Sequence, residues 1–171
     1  VRFFPEYAAL HQAVRRGELG TLLVQTYSRM VSTPTMDWFW DPAQSGGIAT
    51  EVMIHDLDFA RWCGGDVTSV VATQSGDNGR GRPTAVQATL THASGVTSHI
   101  TGACGDANAQ FRTEFDVTGT LGRADYDSVR APSGLPIGPF IEELREFVSA
   151  ALSGTPSRIS AGDGIAAVEL A

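Results

Sequence analysis

Apolar and polar positions alternate along this chain with two different periods. Between residues 45 and 62, Ile48, Val52, Phe59 and Trp62 recur at near-helical spacing, so the stretch is expected to form one uninterrupted helix opened by Gly46 and Gly47. Tyr7, Leu10 and Val14 predict an earlier helix, with Pro5 in its first turn and Gly17 closing it behind Arg15 and Arg16. His11 falls at the edge of that stripe and is expected at the surface. Phe140, Leu144, Phe147, Val148 and Ala151 repeat the helical period, and Ser160-Ala-Gly-Asp163 reads as a capping box for a last helix. The other period is that of strands. Residues 21–30, 67–73, 84–92, 96–104, 111–117 and 123–127 are expected to be extended, the third and fourth of them as a hairpin around Gly95. Between these elements lie an aromatic-rich loop over 31–44, a polar loop over 77–83 and a Pro/Gly-rich linker over 131–139.

The order is helix, strand, helix, a run of strands, then helices. Strands joined by short turns predict an α+β domain: an open, mostly antiparallel sheet with helices on one face. The other face would present Thr97, His99, Thr101, Arg112 and Glu114, or their neighbours one position away. A sheet face without helices is solvated or a subunit interface. His92 and His99 fall on the hairpin and are expected at the sheet surface, not as ligands.

Length and charge narrow the function. At 171 residues the chain is expected to be one domain with a substantial core. A net charge of −7 argues against a nucleic-acid partner. No segment reads as a signal peptide or membrane span, so the cytoplasm is the expected compartment. Every cation is an arginine, so no lysine of this chain can act as catalyst. Cys63 and Cys104 suggest a reducing compartment and are expected to serve as small buried hydrophobes. Val1 is not a start methionine, and the sequence stops inside a helical pattern with no capping glycine. Both ends therefore read as cut.

The candidate chemistry sits on the central helix. Glu51 and His55 are four residues apart, so a helix stacks a carboxylate over an imidazole, which can orient the ring and raise its basicity. Gly46 and Gly47 leave room for a ligand, such as a cofactor, at the positive end of that helix. A lone histidine on a partly apolar helix is more often a satisfied core residue, so the pair carries no function by itself. Trp38 and Trp40 can wall a pocket or merely pack over the next helix. Asp58 and Arg61 read as a surface pair on the helix. Glu51, His55 and Asp58 lie along one face and could supply metal ligands, although structural zinc normally recruits more than one element.

Gly46-Gly-(x)3-Glu51-(x)3-His55-Asp-Leu-Asp58-(x)3-Trp62 resembles the core motif of the Gfo/Idh/MocA family of nicotinamide-dependent oxidoreductases. Arg2-Phe-Phe-Pro-Glu-Tyr7, Arg15-Arg-Gly-Glu-Leu-Gly20, Phe115-Asp-Val-Thr-Gly-Thr-Leu-Gly122 and the helix from Phe140 to Leu152 before Gly154-Thr-Pro156 resemble its flanking segments, in the same order. The resemblance implies the C-terminal, substrate-side domain of an enzyme acting on the hydroxyl or carbonyl of a sugar, inositol or related polyol. NAD or NADP would be held mainly by a separate N-terminal Rossmann domain, in keeping with the lack of Gly-x-Gly-x-x-Gly after any strand here. That domain would also carry the catalytic lysine, and this fragment alone would be inactive. The resemblance implies His55 as acid/base, Glu51 as its partner or as acceptor for a polyol hydroxyl, Arg2 and Trp38 as substrate contacts, and a homo-oligomer built through the open sheet. The inositol dehydrogenase-like pattern has Asp where Glu51 stands, one methylene shorter. A non-catalytic dimerisation module, with His55 a relic, is the other reading.

Overall fold

The computed structural model describes residues 1–79, 81–130 and 137–171. Six strands form one sheet: β1 (Leu22–Ser32), β2 (Val67–Ser75), β3 (Ala85–His92), β4 (Thr97–Gly105), β5 (Arg112–Gly119) and β6 (Arg123–Asp127), in the spatial order β2-β3-β4-β1-β5-β6. All neighbours are antiparallel except β1 and β4, which run parallel with Tyr27 beside Ile100. The expected α+β class, an open and mostly antiparallel sheet with helices on one face, is the one found. β1 is inserted between β4 and β5, a pairing of strands remote in sequence that no local pattern announces. Of the loops, residue 80 and residues 131–136 of the expected linker lie outside the described residues.

Alternation along the strands sets the two faces. Tyr27, Leu90, Ile100, Phe115 and Val117 turn inward beneath α1 (Pro5–Arg15) and the central helix, where Tyr7, Leu57 and Phe59 meet them. Tyr7 stands edge-on to Phe59 at 4.9 Å and to Phe115 at 5.2 Å, tying helix to helix and helix to sheet. The opposite face carries Thr26, Thr89, Thr97, His99, Thr101, Arg112 and Glu114 at least partly exposed, the residues the pattern placed there among them. His99 is exposed and shares a hydrogen bond with the Thr89 hydroxyl, 3.1 Å away. On the β5–β6 side this face becomes charged. Arg112 bonds Glu114 at 2.5 Å and Asp127 at 2.8 Å, and Arg123 pairs with Asp116.

His92 is not on the surface as expected. It belongs to the inward side of β3, 2% exposed, within a chain of buried hydrogen bonds. The Tyr27 hydroxyl donates to Gln25 Oε1 (2.8 Å), and Gln25 Nε2 donates to Ser98 Oγ (3.0 Å). Ser98 Oγ lies 2.7 Å from His92 Nε2, and His92 Nδ1 lies 2.8 Å from the Gly65 carbonyl. A carbonyl only accepts, so Nδ1 carries the proton and Nε2 accepts from Ser98. The network fastens the end of the central helix to the sheet, and a Cβ at Gly64 would strike it, 2.5 Å from Gln25 Nε2. Gln25→Leu takes one acceptor from the Tyr27 hydroxyl and one donor from Ser98, and is expected to cost about 1–3 kcal/mol, readable as a lower urea midpoint at unchanged m-value.

Past the sheet, α4 (Gly138–Ser153) covers the predicted helix, and α5 (Ala161–Leu170) opens on the predicted capping box. Ser160 Oγ accepts from the Asp163 N–H at 3.1 Å, and Asp163 accepts from the Ser160 N–H at 2.9 Å. The Ser160 N–H and the Ser160 hydroxyl, which both donate to the Asp163 carboxyl (2.9 and 2.8 Å), hold it down at about 2, with Arg2 beside it adding to the effect. α4 buries only Pro139 and leaves Phe140, Leu144, Phe147, Val148 and Leu152 exposed.

Candidate functional site

The central segment is not one uniform helix. Ala49–Met53 forms a π-helical turn, and α-helix α3 (Ile54–Gly64) follows it. Such turns are frequent at functional positions. Ile48, Val52, Met53, Leu57 and Phe59 still face the core, so the hydrophobic stripe survives the change of pitch. The alignment of residues four apart does not. Glu51 is exposed in the π-turn and its Oε1 accepts from Ser45 Oγ at 3.3 Å. His55 is exposed in the first turn of α3, not among apolar neighbours at mid-helix. Among the described residues, no hydrogen bond or ion pair joins the two or engages the His55 ring. The imidazole is open to solvent on one side and backed by protein on the others. That surrounding protein holds its pKa below the ordinary value, and the Arg29 cation lowers it further.

The glycines ahead of the π-turn have local reasons for being glycine. Gly47 has φ +70°, and its N–H donates to Ser45 Oγ at 2.9 Å, so this donor is not free for a cofactor. A Cβ on Gly46 would run into the Thr50 side chain. Both line a cleft of about 340 Å³ together with Trp40, Ala72, Gln74 and Arg82. Neither Glu51 nor His55 borders it. Trp38 lies in the short helix α2 (Asp37–Trp40) with its indole 42% exposed. Trp40 is buried instead, its Nε1 donating to the Pro34 carbonyl at 2.9 Å.

Arg2 is displaced from the role of substrate contact. It is 1% exposed, its Nε and Nη2 grip Asp58 at 2.9 and 2.5 Å, and its guanidinium lies 4.8 Å from the Trp62 ring centroid. Asp58 therefore does not pair with Arg61, which reaches Asp163 and Asp66 at 3.3 and 3.4 Å. With Asp58 spent on Arg2, the metal reading of Glu51, His55 and Asp58 fails, and no three His, Cys, Asp or Glu side chains among the described residues converge to hold an ion. A second buried pair went unread in the sequence. Arg29 of β1 donates from Nε to Asp56 Oδ2 at 2.7 Å and from Nη2 to Oδ1 at 3.0 Å, with Asp56 wholly buried. An arginine on the inward side of a strand was the signal that could have found it.

His11 is stacked on Trp62, centroids 3.3 Å apart and planes 6° from parallel, rather than free at the surface. Burial, then Arg15, Arg2 and Arg158, lower its pKa to about 4. The unfolded chain protonates at the ordinary value of about 6.5. Protonation thus favours unfolding, and stability that is complete above that value falls as the pH drops toward 4. His11→Phe keeps the stacking and removes the titration. Melting temperatures from pH 7 down to 4 are expected to fall less steeply in that variant. The cysteines are unpaired, and burial pushes the Cys63 thiol up to about 12 and that of Cys104 to about 11.

An open, mostly antiparallel sheet backed by helices is the fold this chain shares with solved dehydrogenases. The profile of the GFO/IDH/MocA C-terminal domain matches residues 7–125, and the chain belongs to that family. It is 28% identical over 198 residues to the inositol 2-dehydrogenase of Rhizobium meliloti (strain 1021), an alignment covering 99% of this chain and 58% of that protein. The chain thus spans little more than half of that curated relative. The crystal structure of a probable dehydrogenase from Thermotoga maritima superposes with a TM-score of 0.86 at 25% identity, over 99% of this chain and 58% of that one. The scyllo-inositol dehydrogenase of Lactobacillus casei, solved with NAD(H) and scyllo-inositol bound, superposes with a TM-score of 0.78 at 20% identity, over 97% of this chain and 57% of that one, a likeness of fold. No helix among the described residues is long and apolar enough to cross a membrane.

Proposed function

We propose that this chain is the substrate-side domain of an NAD- or NADP-dependent oxidoreductase that interconverts hydroxyl and carbonyl on a sugar, an inositol or a related polyol. The observation that carries the reading is the His55 imidazole: exposed, unbonded, and held on a helix anchored from behind, in a domain related to an inositol 2-dehydrogenase. No Gly-x-Gly-x-x-Gly follows a strand in this sequence, and the Gly47 N–H already donates to Ser45 Oγ. The nucleotide-binding Rossmann domain belongs to the rest of the polypeptide in this proposal. It would cover the open side of His55 and offers an occupant for the exposed apolar stripe of α4.

In that setting the neutral His55 ring takes the proton of the substrate hydroxyl, and in the reverse direction the imidazolium returns it. The nicotinamide supplies the hydride acceptor when bound. Glu51 accepts a hydrogen bond from a neighbouring hydroxyl or steadies the ring, and the exposed Trp38 indole offers a flat surface to a sugar ring. The Thr-rich open face of the sheet, without helices over it, supports assembly of identical copies through it. The test is direct: full-length protein is incubated with NAD or NADP and a panel of inositols and sugars, and reduced cofactor is followed. Cofactor reduction with at least one polyol is expected. A full-length protein that binds neither NAD nor NADP sinks the reading.

A further inference from the structure

The turn that carries His55 is tied down on its inner side by two arginines from elsewhere in the chain. Arg29 reaches from β1 to Asp56, the residue directly after His55, with both carboxylate oxygens engaged at 2.7 and 3.0 Å and no exposure left to the aspartate. Arg2 holds Asp58 two residues further on. Directly before His55 runs the π-turn, whose looser pitch does not by itself fix where the next side chain points. A buried ion pair is a poor device for stability alone, because well-packed apolar side chains of similar volume serve as well or better. Its position next to His55 gives it a use that an apolar pair could not supply.

We propose that Arg29 and Asp56 are positioning residues for His55: the pair clamps the first turn of α3 to β1 so that the imidazole stays on the open side, with a permanent cation behind it. This use in catalysis rests on the reading of His55 as the acid/base group. Arg29 faces the ring as a cation, and Asp56 and Asp58 as anions. Of these three charges, Arg29 has the largest effect, and it favours the neutral ring that a proton acceptor must be. The pair thus couples pose and protonation in one contact.

The test compares His55 in three forms of the full-length protein by NMR titration of its ring, with exposed His99 on the far face of the sheet as internal control. Arg29→Met with Asp56→Leu removes both charges at near-constant volume, and the His55 midpoint is expected to rise. Asp56→Asn leaves Arg29 without its counter-charge, and the midpoint is expected to fall below that of the parent. Should either variant fail to fold, the other decides. A folded variant with an unmoved His55 midpoint and unmoved ring shifts overturns the proposal. In the full-length protein, with NAD and myo-inositol as the assay pair, the double variant is expected to lose about 100-fold in kcat with KM little changed, the scale of a small misplacement of a reacting group. Full activity in His55→Ala would overturn the functional reading, and with it the catalytic use, while the NMR outcome still decides whether the pair positions the ring.

Discussion

His55→Ala in the full-length protein is expected to lower kcat by roughly 10²–10⁴-fold, the range set by removal of a positioned general acid/base. Substrate binding should change far less, because the alanine variant keeps the helix, the glycine turn and both ion pairs behind it. The pH profile gives an independent check. The parent ring has its pKa held below the ordinary histidine value by burial and by Arg29, so it remains a neutral proton acceptor at pH values where an ordinary imidazole is already charged. Oxidation by the parent is therefore expected to persist to lower pH than an unperturbed histidine would allow. In the alanine variant the acid limb assigned to this ring should vanish along with most of the rate. A variant with parental kcat and a parental acid limb would take His55 out of the chemistry and leave the dimerisation reading in possession.

The sheet and its helices were legible because burial imposes a period on sequence. β1 to β6 lie within two residues of their expected bounds at each end, and the stripe Ile48, Val52 and Phe59 is buried as its spacing required. What escaped depends on contacts between remote residues. The parallel pairing of β1 with β4 is decided by where β1 inserts, and neither strand records that locally. The π-turn keeps the apolar side chains inward and changes only the relative pitch of Glu51 and His55, so the hydrophobic pattern is blind to it. The surface expectation for His92 ran against the alternation of β3, which carries Ala88, Leu90 and His92 to the same inward face. Ser98 and the Gly65 carbonyl give its ring partners inside. Arg2 was expected as a substrate contact, and its partner Asp58 is 56 residues away, beyond the reach of any local pattern.

The same long-range pairing makes Arg29 the position where one substitution should damage the fold most. Arg29→Ala leaves the Asp56 carboxylate fully enclosed with no counter-charge, and breaking a buried pair in this way costs on the order of 3–5 kcal/mol. For a chain of this size that corresponds to a fall in melting temperature of roughly 6–20 °C. Arg2→Ala is a weaker lesion by comparison. Its partners Asp58 and Asp163 keep 19% and 23% of their side-chain surface in water, so they can rehydrate when the guanidinium is gone. The order of the two variants, Arg29→Ala below Arg2→Ala in melting temperature at neutral pH, is thus a sharper expectation than either value. Acid should narrow the gap. A carboxylate enclosed without a counter-charge favours its neutral form, so the Arg29→Ala defect is expected to shrink as the pH is lowered. A defect in Arg29→Ala that is independent of pH would mean the lost packing of the arginine stem, and not the stranded charge, is what the fold misses.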